Sequence, residues 1–77
     1  MVRAYVFITS RKAEERQVAD TIEEFPTVKA AHVITGNIDV VAFIEASDLA
    51  ALWETVNQIH AVPGVTRTTT SVVVEPL

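Results

Sequence analysis

An almost continuous apolar run opens the chain, and apolar residues at a helical period follow after residue 12. Val2 to Thr9 is dominated by Val, Tyr, Phe and Ile, which predicts a strand. From Ala13 to Phe25, the apolar residues Val18, Ile22 and Phe25 recur at i, i+4 and i+7 among charged residues, which predicts an amphipathic helix. The proline at position 26 ends this helix, because the residue before a proline disfavours the α conformation.

Two apolar runs in the middle of the chain are separated by a short polar break. Val28 to Ile34 and Val40 to Ala46 are predicted as the second and third strands. The intervening Thr35-Gly36-Asn37-Ile38-Asp39 is short enough for a hairpin, since Gly and Asn supply the positive φ that a tight turn requires. The hairpin itself needs only the glycine and the asparagine. The aspartate either caps the turn or, together with backbone N–H groups beside the glycine, makes the break a candidate binding site.

A second helix and a fourth strand complete the pattern. Ser47 or Asp48 can cap the helix by accepting a hydrogen bond from a free backbone N–H. Pro63-Gly64 ends this segment, and Val65 to Glu75, rich in Thr and Val, is predicted as the last strand. The apolar residues on one face of the helix, which are interpreted as core, are Leu49, Leu52, Trp53, Val56 and Ile59.

The predicted order of elements is therefore β-α-β-β-α-β. Two βαβ-type halves with right-handed crossovers give a four-stranded antiparallel sheet with both helices on one face, which is the ferredoxin-like arrangement. The chain is predicted to be of the α+β class. Its residues 1–77, which include no linker or low-complexity tract, are predicted to form a single domain.

The strands are apolar on both faces, whereas the helices can cover only one face. The second face of the first strand carries Tyr5 and Phe7, and that of the third strand carries Val41 and Phe43. Leaving such a face in water costs about 25 cal/mol per Å² of apolar surface, and packing two sheets together removes this cost. With 49% hydrophobic residues and a mean hydropathy of +0.31, this pattern predicts at least a homodimer, a dimeric α+β barrel or sandwich.

Charge and composition exclude several classes of function. The net charge is −4, and the six basic residues are spread thinly, so direct binding to nucleic acid is not expected. No apolar run approaches the roughly 20 residues that span a membrane. The N-terminus has no signal-peptide layout and the chain has no cysteine, so we expect a cytoplasmic protein.

Residue types that carry catalysis or bind metals are sparse. His32 and His60 are the only imidazoles, and no acidic residue lies at metal-ligand spacing from either. Glu14-Glu15 and Glu23-Glu24 are typical of a solvated helix face. We therefore expect no catalytic residues, no metal and no cofactor. The hydroxyl row Thr68-Thr69-Thr70-Ser71 is either a surface strand or the lining of a small-ligand pocket.

The sequence from Val28 onward resembles the effector-binding domain of the Lrp/AsnC family of feast/famine regulators. The shared frame contains a strand with valine and histidine, a Ser/Thr-Gly-x-x-Asp turn (here Thr35 to Asp39), and a helix opened by Ala-Ser-Asp-Leu. It continues with Pro63-Gly64-Val65, a Thr-x-Thr pair at Thr68 and Thr70, and a valine-rich last strand. The resemblance covers the whole chain and is most specific from the second strand to the end.

The resemblance implies a non-enzymatic, amino-acid-binding regulatory module. Members of the family dimerise through their sheets, commonly assemble into octamers, and bind amino acids between dimers. The positions that correspond to the ligand site are Gly36, Asn37 and Asp39 in the turn and Thr68, Thr70 and Ser71 in the facing strand. Backbone N–H groups near the glycine are expected to bind the carboxylate of the amino acid, and Asp39 or the hydroxyls its ammonium group.

Typical members of the family carry a helix-turn-helix domain before this domain, whereas this sequence begins at the first strand. We therefore expect a stand-alone effector module. Such a module either senses an amino acid directly or co-assembles with a full-length Lrp/AsnC regulator and changes its oligomeric state.

Three other families share this fold. A small dimeric α+β barrel enzyme, monooxygenase- or isomerase-like, is the main alternative; His32 is its only plausible base, and no residue provides a partner for it. An ACT domain usually places its site at the turn after strand one, where Ser10-Arg11-Lys12 lacks the expected glycine. An RNA-recognition sheet needs stacked aromatic residues with basic neighbours, and Tyr5 and Phe7 in an acidic chain do not provide them.

Overall fold

Six elements follow one another along the chain in the predicted βαββαβ order. In the computed structural model, which describes residues 1–74, they are β1 (Val2–Ser10), α1 (Glu15–Glu23), β2 (Val28–Val33), β3 (Val40–Ala46), α2 (Leu49–His60) and β4 (Val65–Val72). The strands form one antiparallel sheet in the order β2-β3-β1-β4. The α+β class and the ferredoxin-like fold are confirmed.

The core lies between the helices and one face of the sheet. Alternate residues of β1 and β3 are buried on this face, as the alternation predicted. The fully buried large side chains are Val6 and Ile8 of β1, Val40 and Ile44 of β3, Val18 and Ile22 of α1, and Leu52 and Ile59 of α2. Each such side chain contributes about 1.5–3 kcal/mol by leaving water, so this layer is the main source of stability.

The face of the sheet away from the helices, called the open face below, carries two rows of side chains that cross all four strands. The first row is Ala30, Phe43, Tyr5 and Ser71, and the second is His32, Val41, Phe7 and Thr69. The rings of Tyr5 and Phe43 lie 5.0 Å apart between centroids. Because Tyr5 is 44% exposed, the apolar centre of the open face is uncovered in the single chain.

Helix α1 is shorter than the predicted Ala13 to Phe25 at both ends. Ala13 has a φ of +69°, outside the right-handed helical region, and the amide of Glu14 donates to the carbonyl of Arg11 (3.1 Å) in a turn that precedes the helix. At the other end, the amide of Phe25 donates to the carbonyl of Ile22 (3.1 Å), three residues back rather than four. The helical period counts apolar positions and does not detect these tight turns.

The interpretation of Trp53 and Leu49 as core was wrong, since their side chains are 62% and 64% exposed. Thr55 is buried instead, and its hydroxyl forms hydrogen bonds with the carbonyl of Ala51 (3.1 Å) and the hydroxyl of Thr27 (2.6 Å). The helix therefore packs a narrower face on the sheet than its apolar stripe suggested. Neither helix within residues 1–74 is long and apolar enough to cross a membrane.

The predicted boundaries of β1, β2 and β3 and the predicted start of β4 lie within one residue of the observed ones. Helix α2 begins after Asp48, whose carboxylate accepts a hydrogen bond from the amide of Ala51 (2.8 Å), as one of the two predicted caps. Strand β4 ends at Val72, although the amide of the next residue still donates to the carbonyl of Arg3 (2.8 Å). The predicted end at Glu75 lies outside the described residues.

Candidate ligand-binding site

The hairpin between β2 and β3 lies at one end of the sheet, beside the end of β1. Gly36 has a φ of +113°, which residues with a side chain rarely adopt, so a glycine is required at this position. A Cβ at Gly36 would meet no atom within 4 Å, and residues 35–37 are exposed. The backbone at the tip of the hairpin is therefore accessible to a ligand or to a second chain.

Asp39 ties the hairpin to β1. Its amide donates to the carbonyl of Ile8 (3.0 Å), and its Oδ2 accepts a hydrogen bond from the amide of Ser10 (2.8 Å). The pairing of β1 with β4 shifts register between Thr9 and Ser10. The Asp39 carboxylate therefore accepts a hydrogen bond from the amide that directly follows this irregularity. The other carboxylate oxygen has no hydrogen-bond partner within residues 1–74.

We expect Asp39→Ala to lower the free energy of unfolding by about 2 kcal/mol, because the amide of Ser10 loses a charged acceptor in a part-buried position. Asp39→Asn keeps an acceptor oxygen at the same place and should lose only about 1 kcal/mol. Chemical denaturation of the three proteins at one concentration measures the difference. Equal losses for the two variants would show that the negative charge, rather than the acceptor geometry, stabilises this end of the sheet.

Successive residues of β4 point to opposite faces of the sheet, which divides the predicted hydroxyl row. Thr68 and Thr70 lie opposite buried residues of β1 and belong to the helix side. Ser71 lies opposite Tyr5 and belongs to the open face. The three β4 residues of the predicted site therefore do not line one surface of a single chain.

His60 binds one of these hydroxyls. Its Nε2 lies 2.5 Å from Oγ1 of Thr68, across the turn that contains Pro63-Gly64. No contact of His60 was predicted from the sequence. The signal for it was the tight turn at Pro63-Gly64, which returns β4 beside α2. The hydroxyls of Thr70 and Ser71 have no hydrogen-bond partner in the part of the chain that the structure describes.

The two halves of the predicted site are not brought together within one chain. The hairpin carries Gly36, Asn37 and Asp39, and β4 carries Thr68, Thr70 and Ser71. Since β3 and β1 lie between β2 and β4, and neighbouring strands are about 4.8 Å apart, these two edge strands are about 14 Å apart. Residues 1–74 enclose no pocket and contain no cluster of three potential metal ligands. A small ligand can contact both halves only if a second chain supplies one of them.

His32, the only plausible base for the alternative enzyme, is exposed on the edge strand β2 and lies opposite Val41. Within the described residues it has no hydrogen bond and no ion pair. Its position therefore does not favour the enzyme alternative.

Comparison with protein families gives a match over almost the whole chain. The family model of the Lrp/AsnC ligand binding domain matches residues 3–77. No curated protein matches the chain at a significant level.

Solved structures show the same fold. TTHA0845 from Thermus thermophilus is 31% identical, with a TM-score of 0.94 over 100% of this chain and 98% of that one. E. coli AsnC is 20% identical, with a TM-score of 0.87 over 99% of this chain and 53% of its own. A transcriptional regulator from Neisseria meningitidis, solved as a complex with L-Met, is 23% identical, with a TM-score of 0.84 over 99% and 51%. The chain thus spans about half the length of these two regulators.

Proposed function

The chain belongs to the Lrp/AsnC ligand-binding domain family, and we propose that it is a regulatory module that assembles through its open face and binds a free amino acid without transforming it. The observation that carries the proposal is the hairpin at Gly36, whose accessible backbone lies at the end of a sheet with an uncovered apolar face. Residues 1–77 are taken as one such domain.

The open face supports assembly of two copies. Its centre consists of Tyr5, Phe7, Val41 and Phe43, and a second sheet packed over them removes their apolar surface from water. A twofold dimer is the simplest closed arrangement of identical chains. The proposal extends to further assembly of such dimers, up to an octamer, and to co-assembly with full-length regulators of the family. The net charge of −4 disfavours direct contact with nucleic acid.

The amino acid is proposed to bind between the hairpin of one copy and β4 of another. The proposed contacts are Gly36, Asn37 and Asp39 on the first copy and Thr68, Thr70 and Ser71 on the second. A zwitterion can place its carboxylate on backbone N–H groups near Gly36 and its ammonium group on the free oxygen of Asp39 and on hydroxyls. The hydroxyls of Thr70 and Ser71 are available, whereas that of Thr68 must share or release its contact with His60.

Calorimetric titration of the chain with each of the twenty amino acids, together with its mass in solution with and without each, tests the proposal. L-Met is the first ligand to test, because the Neisseria regulator was solved with it. We expect binding heat and a shift toward larger assemblies, since a ligand bound between copies favours the assembled state. No heat and no change of mass with any amino acid would reject the sensor function.

Thr70→Val localises the binding. Because the Thr70 hydroxyl has no partner in residues 1–74, the variant should change the unfolding free energy by less than about 0.5 kcal/mol. Its affinity for the amino acid should fall about 10-fold or more, as expected for losing a hydrogen bond to a charged group. Thr66→Val is the matched control, since this hydroxyl donates to the carbonyl of Thr9 (3.0 Å) outside the proposed site. If Thr70→Val bound the amino acid with unchanged affinity, the Thr70 hydroxyl would not be part of the binding site.

A further inference from the structure

His32 lies on the open face, in the row that continues with Val41, Phe7 and Thr69. Among the eight side chains of the two rows, it is the only one of a type that changes charge between pH 5 and 8. It is exposed in the single chain, so water can solvate its charged form there. The apolar centre of the face begins at its direct neighbour Val41.

We propose that His32 makes the association of two copies through the open face sensitive to pH, with the protonated imidazole opposing association. This inference rests on the proposed assembly through that face. A second sheet packed over the two rows removes His32 from water, and burial beside apolar groups disfavours a charged side chain. The dimer therefore binds fewer protons than two separate chains, and association weakens as the pH falls.

The charged residues of the four strands and of the hairpin lie outside the two rows. They are Lys29 on β2, Glu45 on β3, Arg3 on β1, Arg67 on β4 and Asp39 in the hairpin. Asp39 already accepts a hydrogen bond from the amide of Ser10, so its carboxylate has a partner of its own. Glu45 lies directly opposite Arg3, beyond Phe43 along β3 from Val41. The charges of α1 are separated from His32 by the sheet, because α1 packs on the other face.

The net charge of the chain has the opposite effect on association. The chain carries −4 at pH 7 and has a pI of about 4.9, so acidification reduces the repulsion between copies. Reduced repulsion strengthens association. A dimer that weakens on acidification therefore indicates a cationic group that the interface withdraws from water.

Sedimentation equilibrium at pH 8.0 and pH 5.8 measures the dimer dissociation constant of the full chain, of His32→Gln and of His60→Gln. Because both imidazoles of the dimer must be neutral for association, the dissociation constant should rise by about 10-fold or more between pH 8.0 and pH 5.8. We expect this rise in the full chain and in His60→Gln, since His60 lies on the helix side and contacts Thr68. His32→Gln should show no rise.

The outcomes separate this inference from the proposed assembly. A full chain that dimerises equally or more tightly at pH 5.8 overturns the inference and leaves the assembly intact. A pH dependence that disappears in His60→Gln and persists in His32→Gln overturns it as well. A chain that remains monomeric at pH 8.0 up to about 1 mM rejects the assembly itself, and the inference with it. Circular dichroism at both pH values verifies that each variant is folded.

Discussion

Replacing Gly64 with alanine is expected to lower the free energy of unfolding by about 3 kcal/mol. Gly64 has a φ of +99°, and an added Cβ would lie 2.7 Å from Oε1 of Glu14 and 3.0 Å from Cγ2 of Val18. The end of the glutamate can move away, but Val18 is fully buried in the core, so the new methyl group must displace packed atoms. Urea denaturation at a fixed protein concentration measures the loss.

Gly36→Ala is the matched control for this substitution. Gly36 also has a positive φ, +113°, but a Cβ there would meet no atom within 4 Å. It therefore adds backbone strain without a contact, and we expect a loss of about 1–2 kcal/mol. The difference between the two variants measures how tightly the turn before β4 packs against α1, a junction that also contains the hydrogen bond from the Arg11 amide to the Gly64 carbonyl (2.9 Å). Equal losses would show that Val18 accommodates the methyl group.

The strands were predictable from the sequence because runs rich in β-branched and aromatic residues, bounded by polar turns, are typical of strands. The start of α1 was not. It depends on the positive φ of Ala13 and on the contact between Arg11 and Gly64, which are distant in sequence. Local propensity contains no information about such a contact. The helix predicted from the helical period is therefore two residues longer at each end than the observed helix.

Trp53 shows a second limit of the sequence pattern. A helical wheel identifies which residues share a face, but the width of the face that is buried depends on the sheet beneath it. In α2 the buried sector includes Thr55, whose hydroxyl reaches Thr27, and leaves Trp53 and Leu49 outside. The polar contact between two threonines on different elements could not be predicted from either segment alone.

The candidate site was predictable in part. The need for glycine at position 36 follows from turn chemistry, and the structure gives it a positive φ. The resemblance grouped Thr70 with Ser71 by position in the family, whereas strand alternation places them on opposite faces. Asp39 also accepts a hydrogen bond from the amide of Ser10. This contact arises from a register shift that is visible only in the folded sheet. Binding by the six residues stays a prediction.

Phe43→Glu is expected to abolish the proposed dimer, raising its dissociation constant by about 1,000-fold or more. Phe43 lies in the centre of the open face, with its ring 5.0 Å from that of Tyr5. Packing two sheets over this position would bury two carboxylates without partners, at several kcal/mol each. In the single chain the residue is only half-buried and lies on the face away from the core, so the monomer should remain folded. Sedimentation velocity over a concentration series measures the change.

Trp53→Glu is the matched control, because it places the same charge on an exposed apolar residue of the helix side. We expect its dissociation constant to equal that of the unmodified chain, since α2 lies away from the open face. Trp53 is also the only tryptophan, so its fluorescence reports on this side independently. Dimerisation through the open face should leave the emission unchanged, whereas burial of α2 should shift it to shorter wavelength. If Trp53→Glu dissociated the dimer while Phe43→Glu left it intact, the interface would lie on the helices. That result would contradict assembly through the sheet.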